Sequence, residues 1–413
     1  MRRTRTSLLA LAALVALCLS ASARAQGASS RCNAAMSAPV SFVQLPGHPF
    51  STVSTPDGCW LFVSLNSSNP KSTNGVAVLS RAGGQITLKR VFQVEAEPTG
   101  MTITHDGKLL IAADGDYVVF LDVSRMIEGR GDPILGYIKD ADFAGSVYVN
   151  TTADDRFLFV SDENAETVTV VNLQRARAEG FKETATVGKI PVGLAPIALT
   201  FSPDGRWLYT TSEIAPESFG WPVECKPEGA DPATAKPRYA QGAIIVVDVQ
   251  KAETDPAHSA VARVPAGCSP VRLAIAPDGG RVYVTARNNN ALLAFDTAKL
   301  LSDAAHARVG NVPVGSAPVG VAVVNEGRQV VITNSNRFSR DQTARQTLTV
   351  IDAARVGDGA AAIAGSVPAG IFPREFGQSP DCQTLYVANY NSNELEVIDL
   401  KRMPVGPLPA AAH

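Results

Sequence analysis

The sequence predicts an all-β protein built from seven copies of a four-stranded unit, and three observations support this fold class. Hydrophobic residues make up 45% of the 413 residues and charged residues 18%, so the chain can bury a large core. Gly and Pro number 33 and 27, as expected for many short strands joined by tight turns. A unit of roughly 50 residues recurs along the chain, and this period is typical of the blades of a β-propeller.

The repeat is defined by a Pro that is followed eight residues later by an acidic turn residue. Six pairs fit this rule: Pro49/Asp57, Pro98/Asp106, Pro196/Asp204, Pro270/Asp278, Pro318/Glu326 and Pro373/Asp381. A seventh pair, Ser146/Asp154, keeps the offset without the Pro. Successive turns lie 49, 48, 50, 74, 48 and 55 residues apart, and the value of 74 indicates an insertion in the fourth copy. The sequence therefore predicts seven blades.

Each copy contains the same succession of strands. An apolar strand after the Pro leads into a turn such as Pro-Asp-Gly, which supplies the backbone conformations that a hairpin requires. Second and third strands follow, and a shorter fourth strand runs into the next copy. The last copy ends after its third strand, at Leu400, whereas residues 38–49 match the fourth-strand pattern. We therefore expect an N-terminal strand to complete blade seven and close the ring, which removes exposed sheet edges.

The chain begins with the pattern of a secretory signal. A basic start, the apolar run Leu8–Leu19 and the A-x-A site Ala23–Ala25 predict a signal peptide over residues 1–25. The predicted domains are then an N-terminal extension at 26–37, the propeller at 38–403 and a tail at 404–413. The expected location is periplasmic or secreted, and no later stretch resembles a membrane span. A mildly acidic chain without a basic cluster argues against nucleic acid as a partner, and a monomer is expected.

Five cysteines follow the signal, and disulfides are their expected use in an oxidising compartment. Cys225 lies in the blade-four insertion, about residues 213–241, and Cys268 lies in the crossover after that blade. The loops between second and third strands and the crossovers between blades are expected on one face of the propeller, here called the loop face. A disulfide between Cys225 and Cys268 would hold the insertion against this face. Of the other three, Cys32, Cys59 and Cys382, two are expected to pair, and their spacing leaves the choice open.

The segments SPDGRWLYTT, APDGGRVYVTARNNNALLAFD and SPDCQTLYVANYNSNELEVID resemble the YVTN-type repeat of the seven-bladed lactonase, or 6-phosphogluconolactonase-like, superfamily. The resemblance covers residues 38–400 and implies a propeller with a lactonase-like site. Pro373-Arg374 is similar to the family's Pro-Arg-x-Phe blade entry, and Glu213 lies where its Asn-Glu-Leu segment would be. The family's Arg-His pair has no counterpart, since blade four has Ile197-Ala198 and blade five has Val271-Arg272.

We call the Pro or Ser that begins each copy of the repeat the blade entry. Polar residues recur sixteen positions after the blade entries, at the ends of the second strands. These are Asp114, Asp162, Ser212, Asn334 and Asn389, with Asp116 and Glu163 beside them. They are predicted either to form a ligand-facing rim or to cap loops, a role in which Asn and Asp are favoured. A calcium or magnesium site built from Asp114, Asp116, Asp162 and Glu163 is a further alternative, although no calcium-loop motif is present. No organic cofactor is expected.

Three residues interrupt a row of small side chains in the first strands: Tyr148, Arg272 and Glu375. Together with Arg374 they lie near the blade entries, where strands approach the axis. Arginine suits bidentate contacts with carboxylate or phosphate, so a ligand-binding role is one interpretation, and ion pairs between blades are the other.

Two functions follow from these residues. The first is a binding module that engages a small molecule, a carbohydrate or a protein on the loop face under the blade-four insertion, with Trp221 available for stacking. The second is a lactonase-like hydrolase, in which Glu213 acts as the base and Arg272 or Arg374 steadies the developing negative charge.

Overall fold

The computed structural model describes residues 32, 34–66, 73–94, 97–231 and 233–408. They form seven four-stranded antiparallel sheets, which confirms the predicted seven-bladed β-propeller, and one two-stranded ribbon in the blade-four insertion. The predicted signal peptide lies outside the described residues. Within the described part of the chain, no helix has the length and apolar character needed to cross a membrane.

The blades follow the chain in order. Blade one contains Pro49–Ser54, Trp60–Leu65, Gly75–Ala82 and Gln85–Phe92. Blade two contains Met101–Ile103, Leu109–Asp114, Tyr117–Asp122 and Ile134–Lys139. Blade three contains Ser146–Thr151, Phe157–Asp162, Thr167–Asn172 and Thr186–Pro191. Blade four contains Leu194–Phe201, Trp207–Ile214, Ala243–Asp248 and Ala260–Pro265.

The remaining three blades have the same order of strands. Blade five contains Pro270–Ile275, Arg281–Ala286, Ala291–Asp296 and Arg308–Pro313. Blade six contains Pro318–Val324, Gln329–Asn334, Thr347–Asp352 and Ile363–Pro368. Blade seven contains Pro373–Gln378, Thr384–Asn389 and Glu394–Asp399, and its fourth strand is Val40–Gln44. The insertion contributes the ribbon Val223–Cys225 and Tyr239–Ala240.

Four short α-helices connect third strands to fourth strands in blades two to five, and short 3₁₀ segments lie in these and other connections. The α-helices are Val123–Glu128, Leu173–Glu179, Val249–Ala252 and Thr297–Ser302. The 3₁₀ segments are Glu183–Ala185, Glu217–Phe219, Pro256–His258, Arg287–Asn289, Ala304–His306, Ala353–Ala362 and Leu400–Arg402. The residue that ends each of four third strands caps the next α-helix by accepting a backbone N–H: Asp122, Asn172, Asp248 and Asp296. This cap explains why so many third strands end in Asp or Asn.

The acidic residues that define the repeat stabilise the hairpin turns. In five blades a Ser or Thr hydroxyl two residues earlier donates to the Asp carboxylate, as Thr104 does to Asp106 at 2.6 Å and Thr152 to Asp154 at 2.6 Å. The same carboxylate accepts a backbone N–H two residues later, from Lys108 and Arg156 respectively. Burial opposes these hydrogen bonds, but together with the guanidinium of Arg156 they lower the pKa of Asp154 to about 2.

The ring is closed by the N-terminal strand, as predicted. Val40 lies opposite Ile398 and Val43 opposite Leu395 in antiparallel register. Cys32 forms a disulfide with Cys59, which lies in the first hairpin turn of blade one. Of Cys32, Cys59 and Cys382, these two are therefore a pair, a choice that their spacing in the sequence left open. The seam between blades one and seven also holds the buried Arg81, whose guanidinium donates to Thr384 at 3.0 Å. Strand pairing and a buried hydrogen bond thus join the two ends of the chain, and the disulfide attaches the segment before the closing strand to blade one.

The core lies between successive blades. Second and third strands contribute fully buried side chains, among them Phe62, Phe120, Phe159 and Phe295. One cluster joins blades one and seven through Leu61, Leu79 and Leu395. Each blade therefore buries its apolar faces only against its neighbours, so stability depends on a complete circle.

Replacing Leu395 by Ala tests the seam. Leu395 is fully buried between the closing strand and blade one. The cavity left by Leu395→Ala should lower the free energy of unfolding by about 2–5 kcal/mol in urea denaturation. Leu301→Ala, at a 43% exposed position in a surface helix, is the matched control and should change it by less than about 0.5 kcal/mol. Equal losses in both variants would contradict a packed seam.

Candidate functional site

The polar side chains predicted as a ligand-facing rim are buried inside their blades. Asp162 and Asn389 are both 0% exposed, and Asp114 and Asn334 are also buried. Asn334 donates to the hydroxyls of Thr347 at 3.1 Å and Thr349 at 2.9 Å, on the neighbouring third strand. These residues therefore link second to third strands and do not form a solvent-facing rim.

The positions one residue further along lie at the loop face and make contacts across blade boundaries. Seventeen residues after the blade entries the chain has Asn66, Gly115, Glu163, Glu213, Arg287, Ser335 and Tyr390, here called the mouth ring. Tyr390 of blade seven donates to Asn66 of blade one at 3.4 Å, and Arg287 of blade five donates to Glu213 of blade four at 2.7 Å. Because side chains alternate along a strand, a shift of one residue separates buried positions from mouth positions.

Glu213 belongs to a buried ion cluster at this face. Arg287 donates through Nη2 to Glu213 at 2.7 Å, and through Nε and Nη2 to Glu228 at 2.6 and 2.8 Å. The side chains of Arg287 and Glu213 are only 7% and 13% exposed. Burial raises the pKa of Glu213 to about 7, because the nearby Glu228 and Glu163 add to the burial effect and Arg287 only partly opposes it. Glu213 can therefore exchange a proton near neutral pH.

A cavity of about 330 Å³ lies beside this cluster, under the blade-four insertion. Its lining includes Glu213, Glu228, Lys226 and Tyr239. The insertion is held over the cavity by the predicted disulfide Cys225–Cys268, which the structure confirms. Asn288 also donates to the carbonyl of Lys226 at 2.7 Å, so the roof of the cavity is attached to the body at several points.

Trp221 does not contribute to this cavity. Its ring packs edge-on against Phe219 at 5.2 Å between centroids, and both rings lie on the core between blades three and four. Arg263 of the outer strand of blade four covers the ring of Phe219. Trp221 therefore packs the insertion against the side of the propeller, and a stacking role at the mouth is not supported by its position.

An apolar ring lines the top of the central channel. It consists of six side chains that each lie one residue from a blade entry: Phe50, Val147, Ile197, Val271, Val319 and Phe372. Arg272 and Glu375, two of the exceptions in the first strands, form a buried ion pair that joins blades five and seven, with Arg272 Nε donating to Glu375. The third exception, Tyr148, lies under the guanidinium of Arg272 at 4.8 Å from its ring centroid.

Arg374 has a different environment from Arg272. Its guanidinium lies 3.9 Å from the ring centroid of Phe50 and also contacts the rings of Phe372 and Tyr390. Burial, together with repulsion from Arg272 and Arg337, lowers the pKa of Arg374 to about 9. The hydrolase hypothesis placed Arg272 or Arg374 beside Glu213, and the structure corrects this: the cation hydrogen-bonded to Glu213 is Arg287.

Asp162 shares a proton with Asp140 in a buried cluster at blades two and three. Ser146, the residue at the one entry without Pro, donates to Asp162 at 3.2 Å and to Asp140 at 3.4 Å. Lys189 donates to Asp140 at 2.6 Å. Burial and the neighbouring Asp140 raise the pKa of Asp162 to about 9, whereas hydrogen bonds from Asp162, Lys189 and Thr169 outweigh burial and lower that of Asp140. Neutral Asp162 thus occupies the place that Asn has in blades six and seven.

The acidic residues proposed as a cation site do not converge. No group of three or more His, Cys, Asp or Glu side chains with metal-binding geometry occurs in the described part of the chain. Asp162 is directed towards Asp140, Thr167 and Thr169, and Glu163 is exposed at the mouth ring.

Comparisons with known proteins agree with this architecture. The family model described as "Lactonase, 7-bladed beta-propeller" matches residues 144–337, from the entry of blade three to the loop after the second strand of blade six. The chain is a lactonase-like seven-bladed β-propeller. No curated protein matches the chain.

Solved structures resemble this lactonase-like propeller in fold alone. Hydrazine synthase of Kuenenia stuttgartiensis is 18% identical, with a TM-score of 0.62 over 86% of this chain and 96% of that chain. A chain of the mitotic checkpoint complex is 12% identical, with a TM-score of 0.61 over 96% of this chain and 99% of that chain.

Sequence reasoning missed Arg287, Glu228 and Asp140. Arg287 has the same offset from its blade entry as Glu213, so the repeat itself contained a signal for this residue. Glu228 lies in the insertion and Asp140 in a crossover, where the repeat predicts no contacts. Only the folded chain brings these two carboxylates to their partners.

The shared proton of Asp162 predicts a pH effect on stability. Between about pH 4 and pH 9 the unfolded chain releases this proton and the folded chain keeps it, so the group makes folding less favourable as pH rises. Asp162→Asn keeps the shape of the side chain and one acceptor oxygen, and it has no proton to release. Its stability relative to wild type should therefore increase with pH, by up to about 1.4 kcal/mol per pH unit. Urea denaturation at pH 5, 7 and 8.5 measures this difference.

Asp162→Ala is the companion variant. It removes the acceptor from Thr167 and Thr169 and should destabilise the protein at every pH. A difference between Asp162→Asn and wild type that stays constant from pH 5 to pH 8.5 would contradict the shared proton.

Proposed function

We propose that this propeller is a ligand-binding module whose ligand enters the cavity between the mouth ring and the blade-four insertion. The observation that carries the proposal is the cavity itself: about 330 Å³, with the buried carboxylate of Glu213 in its wall and a disulfide-bonded segment as its roof. Concave sites with a few convergent polar groups are the usual form of small-molecule sites. A covalently held roof also keeps the site ordered before binding, which lowers the entropic cost of binding.

The lining favours a polar, hydroxyl-bearing ligand. Glu213 and Glu228 can accept hydrogen bonds, and Tyr239 offers a ring and a hydroxyl. Sugars and sugar acids combine hydroxyl groups with C–H faces that pack on an aromatic ring. We therefore propose a carbohydrate-like small molecule as the ligand of this cavity.

The second candidate is a lactonase-like hydrolase at the same cavity. It is favoured by the pKa of Glu213, which lies at about 7, the range of an effective general base at neutral pH. Ionised Glu213 would take a proton from water while the water oxygen attacks the lactone carbonyl. The ring C–O bond then breaks and the released alkoxide takes the proton back from Glu213, which yields a hydroxy acid and restores the ionised base. Arg287, which is hydrogen-bonded to Glu213, and Lys226 in the cavity lining are the cations that would stabilise negative charge on the carbonyl oxygen.

A periplasmic or secreted location is part of the proposal. It is supported by the disulfides Cys32–Cys59 and Cys225–Cys268, since disulfides persist in oxidising compartments. The signal pattern of residues 1–25 points in the same direction.

Filling the cavity should abolish binding. Ala240 lines the cavity, so Ala240→Trp should remove the heat of binding of any ligand found among neutral sugars, sugar acids and sugar lactones by isothermal titration calorimetry. Val261→Trp, on the exposed outer strand of blade four, is the matched control and should bind as wild type does. A ligand that binds Ala240→Trp and wild type equally would place its site elsewhere.

The hydrolase candidate makes a separate prediction with the same lactones. If Glu213 is the base, Glu213→Gln should lower turnover by roughly 10²–10⁴-fold, and wild-type activity should rise as pH increases through about 7. Glu217→Gln changes an exposed carboxylate of the same insertion and should retain activity. Binding of a lactone without turnover by wild type would exclude the hydrolase and leave the binding module.

A further inference from the structure

We propose a second ligand site, separate from the cavity, at the top of the central channel: a monovalent carboxylate with an apolar body, held between Arg272 and Arg374. Arg272 enters the channel from blade five and Arg374 from blade seven. The site does not depend on the proposed function, because Glu213, Glu228 and the insertion take no part in it.

The first support is a set of buried donors without acceptors. Among the described residues, Nη1 and Nη2 of Arg272 and Nε of Arg374 are buried and have no hydrogen-bond partner. Arg272 is 4% exposed. A buried N–H group without an acceptor costs free energy, more so when it belongs to a charged group, and native structures contain few of them. Three such donors on two arginines that are close enough to repel each other indicate that an acceptor from outside the chain completes the site.

The second support is the charge balance. Glu375 neutralises Arg272, whereas no carboxylate of the described residues lies within ion-pair distance of Arg374. The other nearby cation, Arg337, stacks on the rings of Phe338 and Phe372, and burial together with the charge of Arg287 lowers its pKa. Arg374 therefore carries a positive charge that no carboxylate compensates, and its lowered pKa reflects this cost. One monovalent anion would neutralise the charge of Arg374.

The surroundings of Arg374 select the shape of the anion. The stacking contact with Phe50 covers a face of the guanidinium, so its edge remains for hydrogen bonding. An edge of this kind matches a planar carboxylate. The apolar ring around it, with Val147, Val271 and Val319, suits an apolar body and offers no further donors for a phosphate dianion. Tyr148 and Tyr390 add aromatic surface beside the two arginines.

Calorimetric titration of the full chain with benzoate tests the site at pH 7. Benzoate should bind at least tenfold more tightly than benzamide, its neutral analogue, and more tightly than inorganic phosphate. Arg374→Met keeps an unbranched apolar stem but removes the guanidinium and its charge, and it should weaken benzoate binding at least tenfold. Arg345→Met is the matched control, because Arg345 also stacks on an aromatic ring, Phe42, but lies outside the channel; it should bind benzoate as wild type does.

Two results would overturn the proposal. One is equal binding of benzoate by wild type and Arg374→Met. The other is a wild-type protein that binds phosphate or benzamide as well as benzoate, or binds none of the three. If circular dichroism shows that Arg374→Met is unfolded, Arg374→Lys replaces it and should still weaken benzoate binding, because a lysine lacks the guanidinium edge. Glu213→Gln should leave benzoate binding unchanged, so the failure of this site and the failure of the cavity are distinguishable.

Discussion

The pairing of Val40–Gln44 with Glu394–Asp399 is the interaction on which the rest of the molecule depends. Without it, blade seven would end in an open sheet edge and the core between blades one and seven would lose one side. The mouth-ring contacts Tyr390–Asn66 and Arg287–Glu213 cross blade boundaries. The distances between blades, and therefore the mouth and the channel, are set only when the circle is complete.

The candidate sites arise where single blades depart from the repeat. Arg272, Tyr148 and Glu375 stand in a row that is otherwise made of small residues, and Ser146 replaces the entry Pro beside the Asp140–Asp162 pair. The repeated residues, in contrast, are used for turns, helix caps and packing between blades. This division explains why a family resemblance that rests on the repeat supports the fold and leaves the ligand to be argued from individual side chains.

Charge is distributed unevenly around the mouth. Carboxylates gather on the side of blades three and four, with Glu163, Glu213 and the inserted Glu228, whereas Arg337 and Arg374 lie on the side of blades six and seven. Arg287 separates the two groups by binding both Glu213 and Glu228. The two halves of the mouth therefore favour different ligands, a hydroxyl-rich molecule in the cavity and a carboxylate in the channel.

The sequence alone determined the seven blades, the closing strand and the position of the insertion, because these depend on the period and turn chemistry of the repeat. It suggested the Cys225–Cys268 pair as a hypothesis, which the structure confirms. The sequence also located Arg272, Arg374 and Glu375 near the axis. The predicted polar rim, however, lies one residue before the mouth ring in each blade, and neighbouring residues of a strand point to opposite sides of the sheet. The tertiary structure alone decided which charges meet. Arg287 reaches Glu213 and Glu228, and Arg272 reaches Glu375, across distances of 59 to 103 residues in the chain. Such contacts depend on how neighbouring blades pack, and no local pattern encodes them.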